Sequence, residues 1–303
     1  MTTEQLLKNL EVPSGKIDMI LDTDAYNEID DQYAIAYMLK SKEKLNVKAI
    51  YAAPFFNKNS TSPEDGMEKS YDEILKILKL AKCEDIEVFK GSRSFLSDEK
   101  TPVESEAALH LCKLAMNYSP QKPLYVAAIG AITNIASALL LKPEIKENIV
   151  VVWLGGNGMH MDNTVEFNLS QDIASARIIF GSGVPFIQLP CAGVVSEFRV
   201  SGPELEYWLK DKTEISTYLA ENTIQEAESY ALGKPWTRVI WDVTTIAWLL
   251  NDDDRFMQSR IISAPVVSYD NLYSPKGSNH FMRYVYSINR DALMEDLFKK
   301  ITQ

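Results

Sequence analysis

The chain has 303 residues, with 31 Lys+Arg against 42 Asp+Glu for a formal charge of −11. This acidic balance, with no dense Lys/Arg run, argues against a nucleic-acid partner, which needs a basic face. A 46% hydrophobic, 24% charged composition at this length describes a globular protein that buries roughly 75% of its unfolded surface.

Beginning at the N-terminus, no apolar h-region and no small-residue cleavage site stand in MTTEQLLKNLEVPSGK, so no signal peptide is expected. No apolar run reaches the roughly 18 residues of a membrane span. Three widely spaced cysteines, Cys83, Cys112 and Cys191, give no disulfide framework and fit a reducing compartment. A cytoplasmic protein is expected.

Strands are predicted at 17–22, 47–53, 86–89, 124–129, 149–154 and 185–189, with two more at 261–269 and 282–288. Most of the first six are nearly continuous in apolar residues, the mark of strands buried on both faces of a parallel sheet. Helical spacing falls between them at 30–41, 63–82, 103–117, 133–141, 171–180, 214–231 and 243–250. This alternation predicts an α/β fold, a doubly wound, mostly parallel sheet flanked by helices. The last two strands are expected to pair antiparallel at an edge. Without repeats or linkers, one domain over 1–303 is expected.

In such sheets the ligand site lies beyond the carboxyl ends of the strands. After the first strand, MILDTDAYNEIDDQYA sets five carboxylates within ten residues: Asp22, Asp24, Glu28, Asp30 and Asp31. One Asp there would simply cap a helix. Five repel one another unless a cation or protons intervene, so a divalent cation is expected. The three histidines lie far apart and no Cys/His spacing supports zinc. Oxygen donors suit Ca²⁺ or Mg²⁺.

With these residues in view, the sequence resembles the inosine/uridine-preferring nucleoside hydrolase family, whose first strand ends in DxDxGxDD. Asp22-Thr23-Asp24 and Asp30-Asp31 are similar to its two halves. IGAITNIASAL (129–139) resembles the family's TGGLTN or IGPLTN turn. VVVWLGGN and then VEFNLSQDIASARIIF resemble its LGG…EFN…DPEAA block, and Trp241-Asp242 its final HD or WD pair. Four motifs in this order carry the resemblance from about Asp18 to beyond Leu250.

The resemblance implies Ca²⁺ held by Asp24, Asp31 and Asp242 and by the Ile129 carbonyl, with Asp24 also taking a proton from the attacking water. It implies that Asp30, Asn168 and Asp242 hold the ribose 2′- and 3′-hydroxyls and Glu166 the 5′-hydroxyl, with Asp22 behind them as an orienting group. The implied partner is a small nucleoside or ribosyl compound, and the implied assembly a homodimer or homotetramer.

The sequence departs from the family at three places. Ala25–Ile29 stretch the first motif and replace its Gly, which puts Asn27 or Glu28 either in the sugar site or on its rim. The sugar-binding Asn residues are displaced, with Asn57 and Asn163 as substitutes. Trp241 stands where many members have His, either as a packed core residue or stacked on a departing purine. The reading is therefore Ca²⁺-dependent hydrolysis of ribonucleosides to base and ribose, with a purine preference. The alternatives are hydrolysis of another ribosyl compound, or a ribose- or nucleoside-binding protein that has lost turnover. A haloacid dehalogenase-type phosphatase would share DxD but not VEFN. His160, Tyr230 and Trp236 are lesser candidates for the base side, and Asp252–Asp254 read as a solvated turn.

Overall fold

A computed structural model describes residues 1–274 and 280–303. The strands are β1 (Ile17–Thr23), β2 (Leu45–Ala52), β3 (Val88–Lys90), β4 (Leu124–Ala128), β5 (Ile149–Leu154), β6 (Phe186–Leu189), β7 (Arg199–Ser201), β8 (Thr237–Val239), β9 (Met257–Ser263), β10 (Val266–Val267), β11 (Tyr273–Ser274) and β12 (Phe281–Ile288). Eight of them form one sheet in the order β3-β2-β1-β4-β5-β6-β12-β9. Every neighbouring pair is parallel except β12 with β9. The sheet is flanked by helices, as the alternation predicted.

Sequence order explains where a ligand can bind. The chain winds outward from β1 through β2 to β3, then returns to lay β4 against the other side of β1. Between β1 and β4 the winding reverses, and the loops leaving these two strands part to form a crevice.

The helices are α1 (Thr3–Asn9), α2 (Asp30–Leu39), α3 (Pro63–Leu80), α4 (Glu106–Leu114), α5 (Thr133–Leu141), α6 (Phe167–Gln171), α7 (Ile173–Gly181), α8 (Gly202–Trp208), α9 (Glu214–Ala231), α10 (Val243–Leu249) and α11 (Arg290–Ile301). All residues of β4, β5 and β6 are buried, because apolar clusters cover both faces of the sheet. Every residue of α2 is buried as well. It lies among α3, α9, α10 and α11, which is why DDQYAIAYML shows no polar stripe. Its acidic start is thereby carried into the interior.

Several boundaries differ from those expected. The run 261–269 is not one strand: β9 ends at Ser263, and Pro265, lacking an N–H, breaks the ladder before Val266–Val267 pair with β11. β9 is the edge, while β12 lies inside the sheet against β6. The strand expected at 86–89 is Val88–Lys90, and the helix expected from 103 starts at Glu106, behind the Ser105 cap. The helix expected at 171–180 is α7, starting at Ile173, and a short α6 that was not expected ends just before it, the two parted by a kink at Asp172. Asp172 Oδ1 accepts from Ser175 N at 2.9 Å, and Oδ2 accepts from Leu96 N at 2.9 Å and Thr133 Oγ1 at 2.7 Å. No helix among the described residues is long and apolar enough to cross a membrane.

Asp172 thus ties the kink to α5 and to the segment around Leu96. Asp172→Ala strands buried donors at three places, so thermal or urea unfolding should show a loss of about 2–4 kcal/mol; a change below about 0.5 kcal/mol, the range of a neutral surface substitution, would deny the kink this anchor.

Candidate functional site

The crevice at the ends of β1 and β4 is a pocket of about 280 Å³. Asp24 reaches it from the end of β1, and Asp30 and Asp31 from the first turn of α2, where helix polarity favours negative charge. Ile129 comes directly after β4, and Asp242 stands at the start of α10. Asp30, Asp31 and Asp242 each offer an oxygen, these oxygens lying within 4.8 Å of one another. All four Asp residues are buried.

Two of these carboxylates, Asp31 and Asp30, are held by the fold's own groups. Asp31 Oδ1 accepts from Thr23 Oγ1 at 2.5 Å, and Asp30 Oδ2 from the Trp241 N–H at 3.0 Å. Asp24 Oδ2 is buried with no partner among the described residues. A Cβ at Gly130 would lie 2.8 Å from Asp24 Oδ1, so any larger residue there would have to displace the Asp24 carboxylate. Behind the pocket, Asp22 accepts from Asn134 Nδ2 at 2.8 Å and does not itself line it.

Burial pushes all these groups up. Asp31 and Asp22 rise to about 7. Asp24 and Asp242 rise well above the ordinary value through burial and then the charge of their acidic neighbours. Asp30 rises through burial and the nearby Glu28.

The opposite wall comes from the loop after β5 and from α6. Glu166 caps α6: Oε1 accepts from Asn168 N at 2.8 Å, and Oε2 from Leu169 N at 3.0 Å and Gly156 N at 2.8 Å. Gly156, at φ 71°, occupies the left-handed region that presents this N–H. Asn168 Nδ2 donates to Ile129 O at 2.9 Å and Leu154 O at 3.0 Å. Its donors are consumed, leaving Oδ1 as an acceptor.

Of the expected residues, the pocket gathers Asp24, Asp30, Asp31, Asp242 and Ile129 with Glu166, Asn168, Trp241, Asn27 and Glu28. Asn163 does not reach it. It is exposed, and its Oδ1 accepts from Val165 N at 2.9 Å, while the buried Asn157 lines the pocket instead. Asn57 is also outside, donating to Asn27 Oδ1 at 2.5 Å. Glu28 stands on the rim against Arg238 at 2.5 Å. His160 and Tyr230 are exposed and outside the pocket, and Trp236, also outside it, is half-buried against the core. Cys191, after β6, is a lining residue not anticipated from sequence; burial and the neighbouring Glu166 and Asp242 keep its thiol protonated. Asn157 and Cys191 each stand two or three residues past a strand end, the same position in the sheet that singles out the acids after β1.

Over residues 19–294 the sequence matches the family described as inosine-uridine preferring nucleoside hydrolase. The chain belongs to that family. Its similar relatives include the pyrimidine-specific ribonucleoside hydrolase RihA of Salmonella arizonae, 29% identical over 261 residues, covering 77% of this chain and 79% of the relative. Similar folds include the plant nucleoside hydrolase PpNRh1 (20% identity, TM-score 0.75, covering 96% of this chain and 99% of that one). Another is the purine-preferring ribonucleoside hydrolase of Gardnerella vaginalis (19% identity, TM-score 0.72, covering 94% and 98%). As a nucleoside hydrolase, the chain is an N-ribosyl hydrolase, cleaving the N-glycosidic bond of ribonucleosides.

The donor set of this nucleoside hydrolase fits a hard divalent cation. It consists of the clustered oxygens of buried Asp30, Asp31 and Asp242 and, lining the same pocket, Asp24, whose Oδ2 has no partner among the described residues, beside a thiol held in its protonated form. Such oxygen-rich sites suit Ca²⁺ or Mg²⁺ rather than zinc.

A carboxyl with a higher pKa in the fold than in the unfolded chain binds its proton more tightly when folded. It therefore favours folding at low pH, and that contribution is lost as pH rises from about 4 through about 7. Chelated protein should accordingly melt lower at pH 8 than at pH 5, with Ca²⁺ raising Tm more at pH 8. Equal Ca²⁺ shifts at both pH values would show that these acids are not what the cation relieves.

Proposed function

We propose that the chain hydrolyses purine ribonucleosides to base and ribose with Ca²⁺ held by Asp24, Asp31, Asp242 and the Ile129 carbonyl. The observation that carries this reading is the convergence of buried acids with Trp241 on one pocket. Ca²⁺ bound there would cancel much of the acids' mutual repulsion and acidify water for attack at neutral pH.

The remaining chemistry rests on the chain's own groups. Asp24 Oδ2, free of any partner among the described residues, takes the proton of the attacking water. Asp30, Asp242 and Asn168 Oδ1 accept the 2′- and 3′-hydroxyls. Glu166, held in place by three backbone N–H groups and the Cys191 thiol, accepts the 5′-hydroxyl. Bond cleavage develops positive charge on the ribose, and a pocket walled by fixed carboxylates stabilises it.

The leaving base lies against Trp241. Among the described residues no imidazole lines the pocket, so departure is eased by stacking on the indole, worth about 1–3 kcal/mol per base. The wider face of a purine gains more from this than a pyrimidine.

Chromatography of bases released from purine and pyrimidine ribonucleosides, with and without a chelator, tests the reading. Purines should turn over, chelator should abolish turnover, and Ca²⁺ should restore it. Turnover of pyrimidines alone overturns the base preference, and chelator-resistant activity overturns the cation. Asp24→Asn should lower kcat at least about 100-fold. Trp241→Ala should lower purine kcat/KM by roughly 5- to 150-fold, the equivalent of one stacked base; an unchanged value would place the indole outside the reaction.

A further inference from the structure

Asn27 and Glu28 reach the pocket from the segment between the two Asp pairs. The loop is fastened on one side by amides. Asn27 N donates to Asp24 O at 2.7 Å, Asn57 Nδ2 to Asn27 Oδ1 at 2.5 Å, Asn59 Nδ2 to Asn27 O at 3.0 Å, and Gln32 Nε2 to Ala25 O at 2.9 Å. These bonds fix the loop's course and leave the Glu28 side chain untouched.

Glu28 is a fifth carboxylate at a well that already holds four. It lines the pocket beside Asp24, Asp30, Asp31 and Asp242, and its charge pushes each of them further up. What holds it is Arg238, on β8, whose Nη2 lies 2.5 Å from Glu28 Oε2. The Arg238 side chain is only 17% exposed, with Nε 3.6 Å from Glu226 Oε2 on α9. Its charge also acts against the upward push on Asp30. β8 leads directly into Trp241 and Asp242, so the guanidinium is set by the same segment that carries the indole and one wall of the well.

We propose that Arg238 is a positioning residue that pins Glu28 to the rim, so that the cation well closes with four acids and the leaving-group side stays open. The inference rests on reading the well as a cation site. Without the guanidinium, Glu28 swings toward the well, adds a ligand to the cation and obstructs the rim. Added ligand charge tightens a Ca²⁺ site, and a carboxylate in the mouth excludes the base.

A double-mutant cycle read by calorimetric Ca²⁺ titration of chelated protein, together with kcat and KM, tests this. Arg238→Met should tighten Ca²⁺ by about tenfold, the size of one coupled contact, and raise KM more than it lowers kcat. In Glu28→Gln/Arg238→Met both changes should largely vanish, and Arg238→Lys should restore part of the wild-type behaviour. Equal effects of Arg238→Met with and without Glu28 would reduce Arg238 to a distant field and overturn the proposal. Should Arg238→Met fail to fold, Glu28→Gln alone decides. A pinned Glu28 lies outside the well, so Ca²⁺ affinity should move little, whereas a loss of about tenfold or more would mean that Glu28 already serves the cation. Wild-type protein that binds no Ca²⁺ would instead refute the cation reading on which the inference stands.

Discussion

The repulsion among Asp24, Asp30, Asp31 and Asp242 is the constraint around which the site is arranged. All four are buried, and three present oxygens within 4.8 Å of one another. Like charges in a low-dielectric setting repel far more strongly than in water, so the apo well must hold protons or a cation. Raised carboxyl pKa values express the first solution, and Asp24 Oδ2, buried without a partner among the described residues, suits the second. A fold that maximised stability alone would not gather these groups.

The architecture supplies what such a gathering needs. The reversal of winding between β1 and β4 opens the crevice, and the first turn of α2 puts two acids where helix polarity welcomes them. Gly130 removes the side chain that would collide with Asp24. On the far wall, Asn168 uses its donors on Ile129 O and Leu154 O, which leaves Oδ1 as an acceptor on a residue that lines the pocket. Much of the lining comes from strand ends and helix starts, elements that hold their side chains in place.

Much of this is legible in the sequence. Buried strands announce themselves as VVVWL and LYVAA because parallel sheets are covered on both faces, and a cluster of acids at one strand end has few bland explanations. The illegible parts have physical reasons. The kink at Asp172 comes from tertiary hydrogen bonds to Leu96 and Thr133 that no local pattern encodes. Asn163 and Asn157 are chemically alike, and only the loop's path decides that Asn157 points inward. The antiparallel pair of β7 and β8 is built from three-residue strands too short for periodicity and far apart in sequence, so the placing of Arg238 against Glu28 could not be read from spacing.

The central claim is that protons and a divalent cation compete for the same buried acids. Calorimetric titration of chelated protein with Ca²⁺ at pH 6, in two buffers of different ionisation enthalpy, measures the protons released on binding. The account predicts one saturable site per chain with a net release of at least about one proton, because groups raised to about 7 or beyond must ionise to bind. Absence of saturable binding, or binding with no proton release, would contradict it.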